Sequence, residues 1–269
     1  MAKKLYEESN IQAIADAIRE KTGTDTKYNT SEMIQGINDV EYAIGLSHWK
    51  AITRDGKRTE WRGADGYTPF MYTDYSGVKF PKPIAMTGSV DRTFRLYKGK
   101  IMPRKQDIDM SGVTSVNSTF SYIYSISGGG VIIPDYGIPA MDLYTSTYNN
   151  AQSVKTIELI RSHKDTTFTT TFNSCNTLED VRFEGVIGTN ISFPNSPLTV
   201  DSLKDIILHL YDYSVEAPYI YTVTFKASAF AVLDDEGLTA SWIDKDGTPG
   251  LCTWEEYIDN IGWNLVKQS

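Results

Sequence analysis

The sequence predicts an α+β fold that runs from an N-terminal helical hairpin through a small β module to a short, irregular solenoid of repeats. Three observations predict it. Two stretches 24 residues apart nearly repeat each other, two amphipathic patterns occupy the first 40 residues, and Gly and Pro are dense between residues 45 and 105. We therefore predict three domains, at residues 1–43, 44–105 and 106–269.

Residues 9–22 show the pattern of a capped amphipathic helix. Ser9 and Gln12 have the spacing of a capping box, and isoleucines follow at helical spacing. A second helix is predicted to begin near Asn29. Two short helices bury too little surface alone, so their apolar stripes pack either on the rest of the chain or on other copies, and both interpretations stay open. The candidate anchor and oligomer face is Ile11, Ile14, Ile18, Met33, Ile34 and Ile37.

Residues 44–105 predict a β module, because short apolar runs such as Trp49–Thr53 and Val90–Tyr97 alternate with turn residues. A basic cluster around Arg92–Lys105 alternates with apolar positions. We interpret it as the solvent-facing side of a strand rather than as a nucleic-acid or glycan site.

The repeat begins with an aromatic residue and ends in a short strand. Tyr144–Leu159 aligns with Phe168–Phe183, and a third copy fits around Phe120 at an offset of 28. Units of this length share a continuous core when they stack, so polar residues between the aligned apolar positions are predicted to point outward. The candidate interaction surface is Lys155, Glu158, Glu179 and Arg182. A helix over Leu203–Tyr211 and a strand over Tyr221–Phe225 are predicted to follow.

The segment Phe172–Phe183 resembles the BspA-type leucine-rich repeats, with Cys175, Leu178 and Val181 at the family's apolar positions. This resemblance makes residues 106–269 a leucine-rich-repeat-like domain with a C-terminal cap. The opening Asn10–Gly23 is similar to the N-terminal module of many bacteriophage virion proteins, and the end of the chain is similar to repeat proteins encoded among phage tail genes. The resemblance implies a component of the tail tip, baseplate or fibre, oligomeric and often trimeric, that presents a surface to a host receptor or to other virion proteins.

Composition argues against other classes of protein. The net charge of −8 disfavours nucleic acid as a partner. The two cysteines and three histidines lack metal-ligand spacing, and the N-terminus lacks a signal core. We predict no catalytic residue, metal or cofactor, no membrane insertion, and a virion protein made in the host cytoplasm. A polysaccharide-degrading tail enzyme and a bacterial repeat adhesin remain alternatives, since paired carboxylates acquire meaning only from their separation in space.

Overall fold

The computed structural model describes residue 16 and residues 49–54, 57–63, 84–99, 101–125, 130–216, 218–235, 240–243 and 249–269. Apart from Asp16, which is helical and exposed, the predicted helical hairpin lies outside these residues, and so does its whole anchor face, Ile11, Ile14, Ile18, Met33, Ile34 and Ile37. The strands are β1 (Trp49–Arg54), β2 (Lys57–Gly63), β3 (Ile84–Ser89), β4 (Ile108–Ser115), β5 (Val131–Ile133), β6 (Val154–Ser162), β7 (Asp180–Gly185), β8 (Ile191–Phe193), β9 (Thr222–Lys226), β10 (Ala240–Ile243), β11 (Pro249–Cys252) and β12 (Asn264–Gln268). The helices are α1 (Val200–Leu208), α2 (Ala227–Asp235) and α3 (Trp254–Asn260), and a 3₁₀ turn covers Lys105–Asp107.

The described strands form four small sheets, and most of the pairs are parallel. The sheet orders are β1-β2-β3-β4, β5-β6-β7, β12-β9-β8 and β10-β11. Only the β1–β2 and β10–β11 pairs are antiparallel among the pairs described. Parallel neighbours require long crossover connections, and the segments between these strands supply them.

The predicted fold class was wrong. A leucine-rich-repeat-like solenoid would carry its strands in one continuous sheet, whereas the parallel strands here are divided among three separate sheets. The first sheet also runs from β1 to β4, past residue 105, so the β module does not form a sheet of its own. Strand register also shifts within the β3–β4, β5–β6 and β6–β7 pairs, so the copies do not superpose residue for residue.

Four similar turn segments lie beside these strands, at residues 90–97, 116–123, 144–151 and 168–175. Each has two residues with positive φ four positions apart: Arg92 and Leu96, Ser118 and Tyr122, Ser146 and Asn150, and Thr170 and Ser174. Left-handed backbone at non-glycine residues costs about 1–2 kcal/mol each. The predicted strand over Val90–Tyr97 was therefore wrong, because positive φ interrupts the extended backbone there.

Hydrogen bonds between successive turn segments offset that cost. The backbone N–H of Phe94 donates to the Thr119 carbonyl (2.9 Å), and that of Phe120 donates to the Thr147 carbonyl (2.8 Å). Buried threonines add a second set of bonds: the Thr119 hydroxyl donates to the Val90 carbonyl (3.0 Å) and the Thr147 hydroxyl to the Val116 carbonyl (3.1 Å). The Thr171 hydroxyl bonds to the Tyr144 carbonyl in the same way. We call these three hydroxyl bonds the threonine ladder.

Each of these threonines precedes a buried aromatic residue, and the rings stack into a continuous aromatic spine. The spine comprises Phe94, Phe120, Tyr148, Phe172, Phe193, Phe225 and Phe230, all of them buried. Ring centroids of neighbours lie 5.4, 5.5, 5.6, 4.2, 6.3 and 5.7 Å apart in that order. Aromatic pairs contribute about 0.5–1.5 kcal/mol beyond the area that they bury, so the spine stabilises the contacts between the sheets.

The C-terminal elements continue the core without repeating its pattern. The predicted helix is confirmed as α1, with Leu203, Ile206 and Ile207 buried, but it begins earlier, after the N-cap Thr199, and ends at Leu208 rather than at Tyr211. The Ser202 hydroxyl is instead buried and bonds to the backbone of Val181. The predicted strands Trp49–Thr53 and Tyr221–Phe225 are confirmed as β1 and β9, with ends shifted by one residue.

Candidate functional site

The four residues predicted as an interaction surface lie on or beside β6 and β7. Lys155 and Glu158 are exposed on β6, Glu179 directly precedes β7, and Arg182 is half-buried on it. The Lys155 ammonium lies 2.9 Å from the Glu179 carboxylate. The structure therefore brings Lys155 and Glu179 together and gives the other two residues different partners.

Those other partners lie outside the predicted set. The Glu158 carboxylate accepts a hydrogen bond from the backbone N–H of Asp135 (3.0 Å). The Arg182 guanidinium donates to the backbone carbonyl of Asp201 (2.9 Å) at the start of α1. Glu158 thus connects β6 to the segment after β5, and Arg182 connects β7 to a helix.

Arg161 forms the centre of a charged network that the sequence analysis missed. Its two terminal nitrogens donate to both carboxylate oxygens of Asp135 (2.8 and 3.1 Å), and its Nε donates to Glu184 (3.1 Å). The Lys105 ammonium also donates to Asp135 (3.0 Å). This bidentate geometry fixes both partners, because the guanidinium fork matches the spacing of the two carboxylate oxygens. We call Lys105, Asp135, Arg161 and Glu184 the charged network.

The network perturbs the ionisation of its members. Hydrogen bonds from Arg161, and then from Lys105, lower the pKa of Asp135, although partial burial opposes this shift. The bond to Asp135 in turn raises the pKa of Arg161. Only 13% of the Asp135 side chain is exposed, so these contacts are less screened by solvent than a surface ion pair. The network therefore holds charged groups in fixed positions.

A groove opens beside the charged network, between the segment 101–106 and β5. Its volume is about 410 Å³. Ile101 and Ile132 lie at its edge and are 55% and 49% exposed. Arg104, Lys105 and Glu158 also line it. We call this feature the seam groove, because it lies where the first sheet ends and the second begins.

A second exposed apolar surface lies near the C-terminal sheet. Val215, Tyr219 and Ile220 are 87%, 50% and 58% exposed, and we call these three residues the C-terminal patch. Tyr219 has a left-handed backbone (φ 64°). Its N–H donates to the Gly262 carbonyl (2.6 Å), and its carbonyl accepts from the Asn264 side-chain amide (2.5 Å). Strained backbone held by specific bonds is typical of functional positions.

Cys175, His163 and His209 lie in ordinary structural surroundings. Cys175 is buried, and burial raises the pKa of its thiol to about 12. The Nδ1 of His209 bonds to the Asp205 carbonyl (2.7 Å), and His163 lies beside Asp142 (3.0 Å). Within the described ranges, no group of three His, Cys, Asp or Glu side chains is arranged to hold a metal ion.

Comparison with protein-family models, with curated proteins and with solved structures found no match for this chain. Across the part of the chain that the structure describes, every helix is too short or too polar to span a bilayer.

Proposed function

We propose that this chain is a non-enzymatic structural and binding component of a bacteriophage virion, in the tail tip, baseplate or fibre. It assembles with other virion proteins as a homo-oligomer, with a trimer favoured, and presents a recognition surface to a host receptor. The resemblance of the opening Asn10–Gly23, of Phe172–Phe183 and of the end of the chain to phage-encoded proteins supports this proposal.

One observation about the geometry carries the binding role. Charged side chains of β6 and β7 and of their neighbours are held by ion pairs on strands whose inner faces are buried. Val154, Ile157 and Ile160 are buried along β6, while Lys155 and Glu158 between them are exposed. A surface that is ordered before binding loses less conformational entropy when a partner docks, so it suits recognition.

Binding to host cells tests the recognition role. The labelled protein is incubated with cells of the bacterium whose phage or prophage carries the gene, and the bound fraction is measured against protein concentration. We expect saturable binding, and a double Lys155→Ala, Glu179→Ala variant should weaken it about tenfold. Asp165→Asn, on an exposed turn residue, is the matched control and should bind as the unaltered chain does.

Two outcomes would contradict the recognition role. If the protein does not bind to cells, only a role in structural assembly remains. If the double variant binds as well as the unaltered chain, the recognition surface does not lie on β6 and β7. Mass spectrometry of purified particles tests the virion role separately, because a virion component must be recovered with the tail proteins.

A further inference from the structure

The C-terminal patch has an acidic rim. Asp212 and Glu216 flank Val215 in the chain, and Asp259 lies close enough to Tyr219 to raise the pKa of its hydroxyl. All three carboxylates are exposed. Lys164 pairs with Glu216 (2.7 Å) and covers the Tyr211 ring (3.8 Å), which leaves Asp212 and Asp259 without a cation partner among the described residues. An apolar centre with an acidic rim fits an apolar surface bordered by cations.

The seam groove has the complementary character. Its exposed apolar residues are Ile101 and Ile132, and its outermost cations are Arg104 and Lys105, whose side chains are 47% and 62% exposed. The carboxylates that pair with these cations lie beneath them: Asp107 is 3% exposed and Asp135 is 13% exposed. A docking partner therefore meets these cations before their carboxylate partners, and Glu158 is an acidic residue that also lines the groove.

The two surfaces lie at different levels of the stack. The groove borders β5, which is followed by β6, by β7 and then by the bridge between Ile187 and Leu210. Three strand spacings, or roughly 14 Å, separate β5 from Leu210, and the patch begins at Val215, after Leu210 in the chain. One copy can therefore use its groove toward one neighbour and its patch toward another.

We propose that the C-terminal patch of one copy docks in the seam groove of a second copy, in a head-to-tail contact. Patch-to-patch pairing is disfavoured because it would place acidic rims against each other. A head-to-tail contact generates a closed ring or an open filament, depending on the rotation between copies. The contact rests on the proposed oligomeric state and specifies the surfaces that form it.

Light scattering of the full chain tests this contact with one variant on each surface. Ile101→Asp impairs the groove and leaves the patch intact, whereas Ile220→Asp impairs the patch and leaves the groove intact. Both residues are exposed, so we expect circular dichroism spectra like those of the unaltered chain. The unaltered protein should scatter as an oligomer, and each variant alone should fall to the 30.1 kDa of one chain.

Mixing the two variants distinguishes a head-to-tail contact from a symmetric one. The intact patch of Ile101→Asp can enter the intact groove of Ile220→Asp, so the equimolar mixture should form a dimer that grows no further. Val232→Asp, at a position on α2 that is 51% exposed, is the control and should remain oligomeric.

Three results would overturn the contact: a monomeric unaltered chain, a single variant that stays oligomeric, or a mixture that stays monomeric. Recovery of the chain in purified particles alongside any of these results would leave the virion role standing and remove only this contact.

Discussion

The stacked turn segments and the C-terminal region both bury aromatic rings, but they hold them differently. Rings of neighbouring turn segments lie within 8° of parallel at 5.4–5.6 Å. Around Trp263, the rings of Tyr213 and Tyr221 are tilted by 38–51°. A repeated local motif places the same atoms at each level, so its rings stack in parallel. A region without a repeat packs each ring in its own geometry.

The two regions also differ in how their polar groups are satisfied. The threonine ladder supplies the same hydroxyl bond at each level. In the C-terminal region each bond is particular to its site: the Trp263 indole donates to the Tyr211 carbonyl (2.7 Å), and the Tyr213 hydroxyl donates to the Gly188 carbonyl (2.7 Å). Repetition therefore makes the turn stack regular, and individual contacts hold the C-terminal region together.

The largest expected effect comes from removing a ring of the spine. Phe120→Ala should lower the free energy of unfolding by about 3–5 kcal/mol, because it leaves a cavity between Phe94 and Tyr148. Urea denaturation measures the loss. Tyr124→Ala, at a tyrosine that is 37% exposed, is the control and should cost far less. Equal losses for the two variants would show that the stacked rings are not the core of this region.

A smaller effect isolates the threonine ladder. Thr147→Val keeps the shape of the side chain and removes the hydroxyl donor of the buried Val116 carbonyl, which keeps only the Thr119 N–H (3.1 Å), so it should cost about 1.5 kcal/mol. Thr93 occupies the same position in the first turn segment, and its hydroxyl has no partner in the described part of the chain. Thr93→Val should therefore be neutral or slightly stabilising. A loss for Thr93→Val as large as that for Thr147→Val would contradict the ladder.

The smallest effect concerns the charged network. The pKa of Asp135 is lower in the folded protein than its unfolded value of about 3.9, so its contribution is fully present above that value. The contribution is lost as pH falls through the folded pKa. Asp135→Asn should therefore lose about 1 kcal/mol at neutral pH and show a shallower decline of stability in acid. Denaturation curves at about pH 7 and about pH 3 check this, and parallel declines would contradict it.

Several parts of the fold could be predicted from the sequence, because local patterns determine them. The helical spacing of apolar residues predicted α1, and the alternation of apolar and polar residues predicted β9. The turn at 90–97 was missed because Arg92 and Arg95 alternate with apolar residues in the way that a strand would. The pairs Thr93-Phe94, Thr119-Phe120, Thr147-Tyr148 and Thr171-Phe172 were the available signal for a fourth copy.

The sheet arrangement and the charged network depend on contacts that no local pattern contains. The β6–β7 register shifts between Ile157 and Ile160, so repeat alignment alone does not place Arg161 beside Glu184. The partners of Arg161 lie 23 and 26 residues away, close to the repeat spacing of 24, which offered a partial signal.

Native-state hydrogen exchange tests most directly whether the stacked turns form one rigid unit that supports the surface of β6 and β7. We expect the amides of Phe120 and Tyr148 to exchange slowly and at similar rates, because each donates to the next turn segment. Phe120→Ala should accelerate both together, while the amide of Val223 in β9 keeps its protection. Exchange of Phe120 and Tyr148 at unrelated rates, or faster than that of the exposed Ile220, would show that the stacked turns do not form one rigid unit.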